Sequence, residues 1–198
     1  MIPKFRFVIS SIALPVFLIA AGTVPFHPGA AADYAHQSSD QVTIGAKSFN
    51  TEDQVAGVFG KKVDLLKYGV LPVLVVIENK RQKTLDLRDL EINLVGSDGR
   101  HVSSVNPEDV PFLGTSGHRP RNSPVPLPVP LPKKKNPLNA AEIVTRAFSA
   151  KMLPPGDSAQ GFFYFEAKPE PGDSLYVNGL RDTPSGHEIL YFEFAIDK

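Results

Sequence analysis

Apolar and polar positions divide this chain into unlike stretches. The longest β-branched, apolar run outside the N-terminus is Tyr68-Gly-Val-Leu-Pro-Val-Leu-Val-Val-Ile-Glu-Asn79, which ends in the polar group Glu78 to Arg81. A strand with one wet face alternates apolar and polar residues. This one is apolar on both faces, the pattern of a central strand covered on each side. Val73 to Ile77 is therefore predicted as the middle of the core. Pro72 cannot donate to a ladder, so it belongs near the strand's beginning or at a bulge.

Weaker patterns surround this run. Val42 to Ala46 alternates and reads as a first strand, preceded by a polar, loose segment at 33–41. Thr51-Glu52-Asp53-Gln54 has the form of a capping box, and Val55, Val58, Phe59 and a stopping Gly60 place a short helix at 52–59. Leu85 to Leu90 reads as a turn or irregular strand with buried leucines at 85, 87 and 90. Glu91 to Val95 alternates cleanly, and Ser97-Asp98-Gly99-Arg100 is a hairpin turn returning into His101 to Val105. Asn106-Pro107 starts another helical turn. Asn139-Ala140-Ala141-Glu142 resembles a second capping box, and the spacing predicts a helix over 139–150 with Val144 and Phe148 against the sheet. The last third is all strand: Gly161 to Phe165, with Phe162 and Tyr164 on one face and Phe163 and Phe165 on the other, then Leu175 to Val177 and Ile189 to Ile196.

About seven short strands with turns between them predict a mainly β fold. The type is an antiparallel immunoglobulin-like β-sandwich with two or three short helices and a proline-rich loop.

The N-terminus is of another kind. Lys4 and Arg6 precede an apolar run from Phe7 to Ala21, and Ala30-Ala31-Ala32 closes it with small residues. Positive, apolar and small-residue regions in that order form an export signal. Residues 1–32 are read as that signal, with cleavage after Ala32 favoured and after Gly22 as second choice. A retained anchor is the alternative. The run is about 15 residues with Pro15 inside it, short of the roughly 20 a span needs. The mature product is expected in a periplasm or outside the cell, and membrane association only through an uncleaved signal.

Residues 114–137 break every periodicity. Seven of the chain's 19 prolines lie between His118 and Pro137, and Pro124 to Pro132 alternates strictly with valine and leucine. Such a run favours extended polyproline II. It reads as a stiff surface loop or as a docking segment that offers Val125, Leu127, Val129 and Leu131, followed by Lys133, Lys134 and Lys135, to an envelope protein. No two of these prolines are three apart, so the common PxxP ligand pattern is missing.

Composition narrows the classes further. Hydrophobic content of 42% and charged content of 21% are those of an ordinary globular protein. Lys+Arg and Asp+Glu are 21 each, and without residues 1–32 the count is 19 against 21. That balance gives no basic field for nucleic acid. The absence of cysteine excludes disulfides, thiol nucleophiles, zinc–thiolate sites and lipid attachment through an N-terminal cysteine.

Candidate chemistry is sparse. His27, His36, His101, His118 and His187 show no helical ligand spacing, so no metal or other cofactor is expected. Ser116 sits in a loop, which is a poor place to hold a nucleophile against its base. Glu78, Glu91, Asp98, Glu166 and Glu193 read as solvated positions rather than a hydrolytic pair. No phosphate-binding glycine motif occurs.

Phe59-Gly60-Lys61 followed by the Gly69–Asn79 strand resembles a group of uncharacterised exported bacterial β-sandwich proteins. So does Leu153-Pro-Pro-Gly-Asp157 before Gly161-Phe-Phe-Tyr-Phe165. The resemblance covers about residues 40–198 and implies location and fold, with no catalytic role. The expectation is a non-catalytic exported module for interaction or structure. Its alternatives are a hydrolase of envelope polymers, for which Asp98 or Glu166 would have to meet His101 or His187, and a carrier of a small apolar ligand held by Phe162–Phe165 and Tyr191–Phe194.

Overall fold

The computed structural model describes residues 26–114, 136–183, 185–189 and 191–196. The strand at Val70–Asn79 forms where the apolar run predicts it, as the interior member of the first of three antiparallel sheets. In chain order the strands are β1 (Ala35–Ser39), β2 (Val42–Ser48), β3 (Val70–Asn79), β4 (Leu85–Asp86), β5 (Glu91–Val95) and β6 (His101–Ser103). They continue with β7 (Met152–Leu153), β8 (Ser158–Glu166), β9 (Ser174–Asn178), β10 (Arg181–Asp182) and β11 (Phe192–Ala195). The first sheet runs β1-β2-β3-β8, the second β11-β9-β5-β6, and a small third sheet β10-β4-β7 joins three connecting segments.

β3 carries two cores because its side chains alternate between two apolar layers. Leu71, Val73, Val75 and Ile77 face inward. There they meet Ile92 and Leu94 of β5, Leu175 and Val177 of β9, and Phe192 of β11. Val70, Leu74 and Val76 face outward with Phe162 and Tyr164 of β8. Helix α1 (Glu52–Phe59) covers that outer face with Val55, Val58 and Phe59, together with Ala31, Leu65, Val110, Leu138 and Ile143. The division of Phe162 and Tyr164 from Phe163 and Phe165 agrees with the sequence pattern. Pro72 opposes Tyr164 two residues into β3, one step beyond the last pair with β2, so its missing donor interrupts nothing there. Its carbonyl accepts from Phe49 at 3.0 Å.

The capping box of α1 forms as expected. Thr51 Oγ1 accepts from the Gln54 backbone at 3.4 Å, and Gln54 Oε1 accepts from the Thr51 backbone at 3.3 Å. The Asp98–Gly99 hairpin also forms, with Gly99 at φ 76° and β5 paired to β6.

The mainly antiparallel, sandwich-like architecture is the one expected, but three details differ. Eleven strands, not about seven, occur among the described residues. β4, β7 and β10 have two residues each, too short to leave a periodicity.

Residues 33–41, read as loose, contain β1, paired along its whole length with β2. The strand is polar and half-exposed, as an edge strand can be. Its hairpin turn uses Asp40 at φ 49° and Gln41 at φ 61°. Two positive φ angles match a tight primed turn, but the absence of a glycine leaves no turn signal at that point of the chain.

The predicted helix over 139–150 is cut to α2 (Ala141–Thr145), with Ile143 buried and Val144 48% exposed. Its start is Ala140, without a side-chain cap. Beyond it, Phe162 N–H donates to Arg146 O at 2.9 Å and Phe148 N–H to Phe162 O at 3.1 Å. The free edge of β8 therefore takes over backbone groups that a longer helix would have used internally. Phe148 still reaches the sheet, stacking on Phe163 at 5.2 Å, but from extended chain.

Gly161 makes that approach possible, since a Cβ there would lie 2.4 Å from Phe148 Cα. The substitution Gly161→Ala is expected to cost about 2 kcal/mol or more in chemical denaturation. Gly57→Ala, on the exposed side of α1 with open space around it, is expected to add roughly 0.5–1 kcal/mol. Equal effects of the two would contradict this packing.

Candidate functional site

The proposed docking residues Val125, Leu127, Val129, Leu131, Lys133, Lys134 and Lys135 lie outside the described residues. What the structure gives is the mount from which residues 115–135 depart and to which they return. On the departing side Asn106 makes an Asx turn, accepting from Glu108 N–H at 2.9 Å, and leads into a short 3-10 turn at Val110–Phe112. Val110 is fully buried in the outer core. Gly114 follows at φ 67°, its backbone so close to Tyr68 that a Cβ would sit 3.0 Å from the Tyr68 carbonyl.

On the returning side, Asn136 Nδ2 donates to Pro111 O at 2.6 Å, and Asn136 Oδ1 accepts from Leu138 N–H at 2.9 Å. Leu138 is fully buried beside Val110 in the same outer core. One asparagine thus fastens the two stems together, with a buried apolar residue anchoring each. The proline pattern revealed the excursion; nothing in it pointed to Asn136.

The scattered titratable groups can be placed. His101 meets Tyr176 edge-on at 6.0 Å, and Tyr176 stacks on Tyr191 at 5.4 Å. Tyr191 is 56% exposed, so these rings form a short aromatic row on the outside of the second sheet. Asp98 and Glu166 line one niche of about 80 Å³. Asp98 there accepts from the Arg100 backbone at 3.0 Å and from its guanidinium at 2.8 Å, which together hold its pKa below the usual carboxylate range. A general acid needs the opposite shift. His101 and His187 do not line that niche. Among the described residues no three His, Cys, Asp or Glu side chains gather as metal ligands.

Phe162, Phe165 and Phe192, considered as the lining of a ligand site, are buried in the two cores. Phe162 packs edge-on against Phe49 at 5.1 Å and Phe59 at 4.9 Å. No helix among the described residues is long and apolar enough to cross a membrane.

One polar cluster escaped the sequence reading. Asp182, buried at the end of β10, accepts from Lys83 Nζ at 2.9 Å and Arg81 at 3.5 Å, and also from the Ser185 hydroxyl. His187 meets Ser185 through its backbone N–H at 3.2 Å. Serine, histidine and aspartate are together here, but the order is wrong for nucleophilic catalysis. The serine donates straight to the carboxylate, and the imidazole is not between them. The cluster is a clasp between the 79–84 loop and the 181–187 loop. Its signal in sequence was only a lone Asp after Arg181.

No protein-family model matches this sequence, and no curated protein does either. Among solved structures, ycdA of Bacillus subtilis is 13% identical with a TM-score of 0.39, and covers 82% of this chain but 39% of its own. This chain therefore spans about two fifths of that protein's length. The secreted Mycobacterium tuberculosis protein MPT63 is 15% identical with a TM-score of 0.37, covering 83% of this chain and 95% of its own. The Bordetella pertussis ApaA protein is 12% identical with a TM-score of 0.36, covering 82% and 96%. At these levels no activity carries over.

The Asp182 clasp has a pH signature. The Lys83 ammonium first, and then the Ser185 hydroxyl, lower its pKa from 3.8 to about 2. A depressed carboxylate stabilises the fold above its unfolded pKa, and that stabilisation is lost as pH falls through the folded one. Stability should therefore fall between about pH 4 and pH 2 in part through this residue. Asp182→Asn is expected to be less stable at pH 7 and to lose less than the parent across that window, measured by urea denaturation. A parallel loss in both proteins would remove Asp182 from the account.

Proposed function

We propose that this chain is an exported, non-catalytic envelope module that engages a protein partner through residues 115–135. The observation that carries the reading is the mount. Asn136 ties the returning stem to Pro111 of the departing one, with Val110 and Leu138 buried beneath. A segment attached this way can be displayed without disturbing the sandwich, because the chain closes on itself at its base. Its composition suits display. Six prolines between 115 and 135 remove backbone donors and lower the entropy lost on binding, while Val125, Leu127, Val129 and Leu131 offer apolar contact. Lys133 to Lys135 add charge at one end. Export is supported by the N-terminal pattern of Lys4, Arg6, an apolar run and small residues.

The test is a cross-linking pull-down from intact envelopes with the full mature protein and with a form lacking 119–135. Because the stems are stapled independently, the deleted form is expected to melt within about 3 °C of the parent and to lose its principal partner. Retention of every partner by the folded deletion form would refute docking through this segment.

A further inference from the structure

Residues 26–34 lie against the outer core and are fitted to it. The Phe26 ring meets Phe49 at 6.1 Å and Phe162 at 5.7 Å, and the Arg146 guanidinium lies 5.8 Å from its centre. Ala31 is fully buried, and its N–H donates to Glu78 Oε1 at 2.8 Å. Ala30 N–H donates to Asp33 Oδ2 and Gly29 N–H to the Tyr34 hydroxyl, both at 2.8 Å.

The receiving surface is shaped to this segment. Gly45, inside β2, would place a Cβ only 2.1 Å from the Ala31 carbonyl oxygen. A glycine inside a strand weakens it and often marks the close approach of another backbone. Here that backbone is residue 31. Gly45, Glu78 and the Phe49–Phe162 pair thus each have a partner that a cut after Ala32 would discard. The peptidase meets the chain before it folds, so burial does not shield the Ala32–Asp33 bond. The folded product, however, uses residues 26–32 as part of its outer core.

We infer that Ala30-Ala31-Ala32 is a structural element rather than the processing site, and that signal peptidase hydrolyses the Gly22–Thr23 bond. Water adds across that amide, leaving a Gly22 carboxylate and a Thr23 ammonium. Ala20-Ala21-Gly22 supplies small residues immediately where the apolar run ends. A 22-residue signal lies within the ordinary range of about 15–30, and a 32-residue one exceeds it. The inference rests on the export reading, and its tests separate the two.

The full chain is expressed with export in a Gram-negative host, and its intact mass is measured from the periplasmic fraction. The mass of residues 23–198 is expected; that of 33–198, or of the uncleaved chain in that fraction, overturns the assignment. Ala32→Arg, at an exposed position, is expected to leave processing unchanged, and blocked processing overturns the assignment. Separately, chains beginning at Thr23 and at Asp33 are produced without export and melted. The shorter one is expected to melt at least about 5 °C lower, and equal melting temperatures would overturn the structural role of 26–34. Full-length chain held in the cytoplasm would count against export itself, and the melting comparison would still decide the role of these residues.

Discussion

Everything in this fold depends on β3 being buried on both faces. Val73, Val75 and Ile77 close the space between the two large sheets, while Val70, Leu74 and Val76 support a second layer made of α1, the N-terminal turn and the stems of the proline-rich excursion. Each such side chain contributes roughly 1.5–3 kcal/mol on burial, and one strand supplies both layers. Without disulfides, this shared wall links the outer layer to the sandwich. The mount for residues 115–135 is therefore anchored in that outer layer through Val110 and Leu138.

The strand's end is secured in a different way. Asn79 is buried, and its amide donates to the carbonyls of Lys83, Leu153 and Pro154 at 2.8–3.1 Å, while its oxygen accepts from Arg81 N–H at 3.1 Å. Asp182 then binds Arg81 and Lys83 from the other side. A buried amide is stabilising only when its bonds are made, and here the loop after β3 and the Leu153-Pro154 segment provide them. The loops that look irregular in sequence are held by polar side chains rather than by apolar ones.

That difference explains what could be read in advance. β3, β8, α1 and the Asp98–Gly99 hairpin were legible because burial and capping leave periodic or positional marks in a single stretch. β1, β7 and β10 left none, being short, polar or defined by a distant partner. The helix after Asn139 was over-extended because its capping pattern is local, whereas the free edge of β8 that claims Arg146 and Phe148 is more than a dozen residues away. The candidate site was legible only in outline. Proline alternation marks an excursion, but the Asn136–Pro111 staple and the fit of Ala31 to Gly45 are three-dimensional pairings with no sequence periodicity.

Through β3 the inner sandwich and the outer layer are expected to unfold as one cooperative unit. Native-state hydrogen exchange, resolved by residue, tests this directly. The amides of Val73 to Ile77 should exchange only through global unfolding, with an opening free energy equal to that from denaturant titration and shared by the amides of Phe162 and Tyr164. Opening of these β3 amides at a free energy well below the global value would show that the two layers come apart independently, and would contradict the account.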